Sequence, residues 1–239
     1  MGAFRTLATL LFIVSLPAAL VTTNVRFIAN EPRIYRYAVD QFDAVRTTGI
    51  ERSELLTAGG DLRDYFNNGQ DTVSIRVQQQ GREVSLFNPR ETAHLKDVKS
   101  RFELMNKVQE ISVLYVLIYI TAVVLWAREV STRALAMSVV LGCLISLAAV
   151  GGAAVLGFAG FDSAWESFHE ALFSNDFWRL NPGTDHLIQM FPPAFWENVV
   201  FLIGLLIAAE SALILLGAVI YLGVTGKQTS PRRLTPYYA

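Results

Sequence analysis

Histidine is the side chain whose charge changes nearest neutral pH, and this 239-residue chain has only three of them. His94 falls on a helical stripe with Val98, Phe102, Met105 and Val108. His169 belongs to a second apolar arc, in which Trp165, Phe168, His169, Leu172 and Phe173 recur at i, i+3, i+4, i+7 and i+8. One histidine on an apolar face reads first as a satisfied core residue. Two of them, both expected on the same side of a membrane, read as an acid–base pair for acyl chemistry on a lipid. Nucleophilic catalysis has little to work with: there is no G-x-S-x-G, and the single cysteine, Cys143, lies deep in an apolar run where packing is its simplest role. His186 stands in an Asp185-His186 turn and is the one further candidate ligand for a metal. With no H-x-x-H or H-E-x-x-H, and with Phe173 four residues after His169, neither a metal nor another cofactor is expected.

Helix-start signals position both histidines. Asn88-Pro89-Arg90-Glu91 supplies an N-cap, a proline at the first helical position and a glutamate three after the cap, so a helix is expected to carry His94 and run on into the membrane. Lys96, Lys99 and Glu103 lie off the His94 stripe. Ser163-Ala164-Trp165-Glu166 resembles a second capping box, opening a short interfacial helix with His169 inward and Glu166, Ser167 and Glu170 outward. Arg90, Arg101 and Arg179 have the chemistry to hold a carbonyl or phosphate, although a solvated or headgroup-facing guanidinium is the simpler reading. Glu210 is the only acid in the middle of a span, which suggests function by default. Because it lies far from both histidines, a protonated carboxyl bonded to a neighbouring helix, at Ser146, is the preferred reading.

The elements that bring these residues together are membrane helices. The chain is 52% hydrophobic and 17% charged, and the apolar residues fall in long uncharged runs, the mark of an integral membrane protein. Spans are expected at about 6–25, 108–127, 134–161 and 199–224. A cleaved signal peptide is the alternative for the first, but its removal leaves an odd number of spans. Arg5, Arg128, Arg133, Lys227, Arg232 and Arg233 flank the short connections and place both termini in the cytoplasm. The segments 26–107 and 162–198 then lie outside, as a cap and an interfacial loop, and residues 227–239 form a flexible cytoplasmic tail. Within the cap, helices are expected at Tyr35–Arg46 and, interrupted by Gly59 and Gly60, at Glu51–Phe66. Alternation over Thr72–Val77 and Val84–Phe87 about a Gln79-Gln80-Gly81 turn gives a hairpin. The expected fold is a mainly α, single-domain, four-span protein capped by a small β-hairpin. A net charge of −1 and the lack of a polybasic arm give no sign of a nucleic-acid partner.

Two stretches resemble a known family. Glu91-Thr92-Ala93-His94-Leu95-Lys96-Asp97-Val98-Lys99 is similar to the E-x-x-H-[ML]-x-D-V-K signature of a family of bacterial four-span membrane proteins that includes the lipoprotein intramolecular transacylase. Phe168-His169-Glu170, Asn175-Asp176-Phe177-Trp178, Pro182, Asp185, Leu187-Ile188 and Phe191-Pro192 resemble its second signature. The resemblance implies an enzyme of the bacterial cell membrane with its site at the extracytoplasmic face. Its partners would be membrane lipid and a diacylated lipoprotein N-terminus, whose sn-2 acyl chain passes to the α-amino group of the same cysteine. It implies catalytic roles for His94 and His169, and supporting or substrate-binding roles for Glu91, Asp97, Arg101, Asn175, Asp176, Trp178 and Asp185. Which histidine is base, and which is acid or oxyanion donor, stays open. So does a non-catalytic, lipid-binding or complex-stabilising use of the same fold; a transporter lacks the polar pathway it would need. If the pair acts together, the helix carrying His94 must tilt or break, or span three must project well above the lipid. A straight helix otherwise lifts His94 about 21 Å above Val108.

Overall fold

The computed structural model describes residues 2–126 and 129–228. The four apolar runs become four long helices: α1 (Gly2–Asn30), α5 (Pro89–Trp126), α6 (Glu129–Leu172) and α8 (Pro193–Gln228). Each contains an apolar stretch long enough to cross a bilayer. The protein is therefore a multi-pass membrane protein. Of the basic flanks, Arg128, Arg232, Arg233 and the tail from 229 onward lie outside the described residues, as does the side chain of Lys227.

α1 packs against α5, α6 and α8, and α6 lies along α8. The approach of α1 to α6 is close: a Cβ on Gly142 would come within 2.9 Å of Leu16 Cδ2. Polar groups inside the bundle bond to neighbouring helices. The Tyr115 hydroxyl donates to the Ala8 carbonyl at 2.8 Å, and Arg133 donates to the Leu222 carbonyl at 3.1 Å and to Thr225 Oγ1 at 2.7 Å. The partner of Glu210 is Asn24, whose amide donates to the carboxyl at 2.7 Å, and not Ser146, which donates back to the Gly142 carbonyl of its own helix at 3.1 Å. Helix α1 continues to Asn30, so Asn24 is carried inside it and is 4% exposed.

The cap is built from α2 (Pro32–Gln41), α3 (Ala44–Thr48), α4 (Arg52–Asn67), β1 (Arg76–Gln79), β2 (Arg82–Ser85) and α7 (His186–Met190). The helix expected over Tyr35–Arg46 is two helices, because Asp43 adopts a left-handed φ of 55° and breaks it. α4 forms in spite of its glycines, since Gly59 lets it press against α2: an added Cβ would lie 3.1 Å from Tyr35 Cβ. The hairpin turns on Gln80 and Gly81, with φ of 52° and 77°, the two-residue turn whose twist suits paired strands. Its ladder is shorter than expected and shifted toward the turn, although Val73, Ile75 and Val77 are buried as the alternation requires. One apolar cluster joins Leu55, Tyr65 and Leu86 of the cap to Ile28 of α1 and Phe195 and Val199 of α8, so cap and membrane helices share a core.

α6 is broken near its outer end. Its backbone leaves helical geometry at Gly160 (φ 153°, ψ 98°), and two helices meet there across a kink. The second is the short helix expected around His169; it opens a few residues before Ser163, so residues 163–166 lie inside it, and it ends at Leu172. His169 thus stands beyond the apolar run, which ends at Phe161.

Candidate active site

The start of α5 is held by a reciprocal cap. Asn88 Oδ1 accepts from the N–H groups of Arg90 (2.9 Å) and Glu91 (3.0 Å), while Glu91 Oε2 accepts from the Asn88 N–H at 2.7 Å. The other Glu91 oxygen accepts from the Leu187 N–H at 2.6 Å, and the residue is 1% exposed. Asp185 completes the tie: Oδ1 accepts from Asn88 Nδ2 and Thr184 Oγ1, both at 3.0 Å, and Oδ2 from the Asn181 N–H at 2.7 Å. Burial pushes the Glu91 carboxyl above its ordinary range, outweighing the two N–H groups that favour its charge. Both acids fix the 181–187 turn to the first turn of α5, one turn before His94.

His94 and His169 meet. Their ring centroids are 6.0 Å apart, tilted by 39°, and both residues are buried. His169 Nδ1 lies 2.8 Å from the Trp165 carbonyl oxygen. A carbonyl only accepts, so Nδ1 carries the proton and the neutral ring leaves its lone pair on Nε2. His94 Nδ1 is buried, with no hydrogen-bond partner among the described residues. Desolvation pushes the His94 pKa down to about 4, helped by the neighbouring His169 and opposed by Asp97. Desolvation also lowers that of His169, against the bond from Trp165. Both groups lie beyond the apolar runs, and both are uncharged at neutral pH.

Aromatic rings box the pair. Phe173 touches both imidazoles, at 5.2 Å from His94 and 5.7 Å from His169. Trp165 meets His169 edge-on at 4.6 Å, and Trp178 stacks on it at 4.9 Å. A hydrogen-bond chain holds Trp178 in place: its indole N–H donates to the Asn175 carbonyl at 2.9 Å, and the Asn175 amide donates to Asp97 Oδ2 at 2.8 Å. Asp97 is one turn beyond His94 on α5, so this chain runs from one imidazole's helix to the other imidazole's face.

His94 and His169 thus form a buried imidazole pair, and among the described residues no group of three or more His, Cys, Asp or Glu is placed to hold a metal ion. The profile of the lipoprotein intramolecular transacylase Lit family matches residues 10–196. The chain belongs to this family. Among solved structures, the integral membrane transacylase Lit from Bacillus cereus superposes with a TM-score of 0.79 at 19% identity, covering 96% of this chain and all of that one. Two forms of the same protein with a single histidine replaced, by arginine or by alanine, each superpose with a TM-score of 0.74. They are 17% and 19% identical, cover 96% of this chain, and are themselves covered over 96% and 97% of their length. No curated protein matches the chain.

The other candidate residues are placed less centrally. Arg101 lies over the Phe173 ring at 5.9 Å, on a wall of the histidine box. Asp176 is exposed and pairs with Arg90, which reaches its carbonyl oxygen and, at 3.4 Å, its carboxylate; it contacts neither imidazole. His186 stands apart, with Nδ1 2.7 Å from the Leu86 carbonyl. Lys99, off the His94 stripe, is buried: it donates to Asn68 Oδ1 at 3.1 Å and to the Gln70 carbonyl at 2.6 Å, and lies 4.3 Å over the Tyr65 ring. The 68–71 loop covers this face of α5. The residue the sequence undervalues most is Arg179. It sits 4.6 Å over Trp178, on the ring that stacks on His169, and is held by Glu166 at 3.0 Å and Glu170 at 3.1 Å. The signal for it was present: two acids one turn apart on α6, straddling His169, call for a basic partner.

Proposed function

We propose that this chain is an intramolecular transacylase of its family, working at the outer face of the membrane with His94 and His169 as its acid–base pair. The substrate is a lipoprotein N-terminus whose cysteine carries a thioether-linked diacylglyceryl group. The α-amino group attacks the sn-2 ester carbonyl, a new N–C bond forms, and the C–O bond to glycerol breaks. Amine and ester share one molecule, so the main work is positioning, worth roughly 7–11 kcal/mol when the attack geometry is good. No enzyme nucleophile is needed.

The observation that carries this reading is the meeting of two uncharged, buried imidazoles from α5 and α6 at 6.0 Å. An α-amino group titrates near pH 8, so a neutral imidazole beside it can take its proton. His169 is preset for that step, because its Trp165 bond leaves Nε2 as the acceptor. The N–H of neutral His94 then donates to the developing oxyanion. The proton taken from the amine returns to the departing sn-2 oxygen, directly or through His94, and the enzyme ends as it began. Glu91, Asp185, Asp97, Asn175 and Trp178 act by holding these rings, and Arg101 and Asp176 by shaping the rim.

The experiment uses purified protein and a diacyl lipopeptide, with fragmentation mass spectrometry to locate the acyl chain, since the transfer leaves total mass unchanged. His94→Ala and His169→Ala should each lose at least about a hundredfold in rate, the ordinary contribution of a positioned acid or base. Full conversion by either variant removes that residue from the mechanism. No acyl shift by the wild-type protein points instead to a lipid binder of the same fold.

A further inference from the structure

The cap hairpin ends on an edge with nothing paired to it. The Leu86 N–H donates to the Ile75 carbonyl at 2.9 Å, and the register pairs Val77 with Val84. Bonded pairs alternate along an antiparallel ladder, so Arg76, Gln78, Glu83 and Ser85 turn their backbone groups away from the partner strand. On β1 this outward row is used, since Glu54 Oε2 accepts from the Gln78 N–H at 2.8 Å. On β2 no described residue takes the outward N–H or carbonyl of Glu83 or Ser85. From Ser85 the edge leads into an open groove of about 560 Å³ lined by Phe87, Asn88, Thr92, Thr184 and His186.

The chemistry of the groove selects its occupant. No lysine or arginine lines it, so it is not built for phosphate. Its one carboxylate, Glu91, is buried and already accepts two backbone N–H groups. His186 donates through Nδ1 to the Leu86 carbonyl, which leaves Nε2 free to meet a ligand beside the hydroxyl-bearing side chains. A surface of hydroxyls, one imidazole and an unpaired strand edge matches polypeptide main chain. It also adjoins the candidate active site: Glu91, in its wall, is one turn before His94 on the same face of α5.

We propose that the outer edge of β2 and this groove bind the polypeptide that follows the lipidated cysteine, as a strand added to the hairpin. The inference rests on the transacylase reading above. While the acyl ester lies at the histidines, the chain leaving the cysteine passes the start of α5 and pairs with Glu83 and Ser85.

Ser85→Pro tests this directly, because it deletes one outward N–H and no ladder bond, and proline is tolerated on an edge of this kind. Diacyl lipopeptides carrying two or eight residues after the cysteine are turned over by wild type and variant, and the two KM values are compared within each protein. In wild type the longer substrate should have a KM at least fivefold lower; in Ser85→Pro the ratio should fall toward one. Using a ratio within each protein cancels any general loss of folded enzyme. A photoreactive residue placed five positions after the cysteine should label the 83–92 segment of wild type. Equal KM values for both lengths in wild type, an unchanged ratio in the variant, or labelling elsewhere overturns the docking proposal. Absence of turnover with either length overturns the transacylase reading instead.

Discussion

The His94 imidazole is held where charging it is costly. Its pKa falls to about 4 while an unfolded chain keeps about 6.5, so between those values the unfolded state binds the extra proton. Stability is therefore full above pH 6.5 and is lost as pH falls from 6.5 toward 4. The gap corresponds to about 3 kcal/mol at most. His169 shifts the same way and adds to the loss. In detergent, the Tm of wild type should drop between pH 7 and pH 5 by more than that of His94→Phe, which has no proton to gain at this position. Equal drops in the two proteins would show that His94 is not desolvated as described. The same burial keeps the His94 ring uncharged at neutral pH, and among the described residues His94 Nδ1 has no hydrogen-bond partner, a feature more common at working sites than in cores.

Elements decide whether the two residues meet, and here the sequence is legible in part. The cap of α5 can be read directly because Asn88, Pro89 and Glu91 act on one another across three residues. The kink in α6 can be read only in part. The capping pattern at Ser163 and Glu166 marks a short helix after the apolar run, and such a helix does follow the break, opening a few residues earlier. The residue that makes the break is not marked: Gly160 is one of several glycines there, with Gly151, Gly152 and Gly157. Lys99 and the Asn24–Glu210 bond were hidden for another reason, since each depends on a segment distant in sequence. Above the kink, α6 packs Trp165 on Trp196 of α8 at 5.3 Å and presents His169 to His94. Gly160→Val forces a β-branched residue into a backbone region open almost only to glycine, at a cost of about 1–3 kcal/mol. The helix should straighten to relieve it and carry His169 away from α5. The expected result is at least a tenfold loss of acyl transfer. Gly157→Ala, a control at a site with open space and no positive φ, should stay near wild type. Wild-type activity in Gly160→Val means the bend does not position His169.

For the whole molecule, the question is what keeps the cap seated on the helices. The shared apolar cluster does part of this. The polar ties concentrate on the upper half of α5: Glu91 to Leu187, Lys96 to Asp71 at 2.6 Å, and Lys99 to Asn68 and Gln70. Lys96 and Asp71 are exposed, so their pair contributes little. Lys99 differs because it is buried and its bonds replace water. Lys99→Met keeps the stem but strands the Gln70 carbonyl and removes the cation from the Tyr65 face, weakening local closure by about 2 kcal/mol. Amide exchange over 68–79 should then speed up about thirtyfold, while exchange in the apolar parts of α1, α6 and α8 stays at the wild-type rate. A uniform rise across the chain would mean that cap and membrane helices unfold as one unit. No change at all would mean that the apolar cluster alone holds the cap, and that the buried ammonium carries none of the load between hairpin and active site.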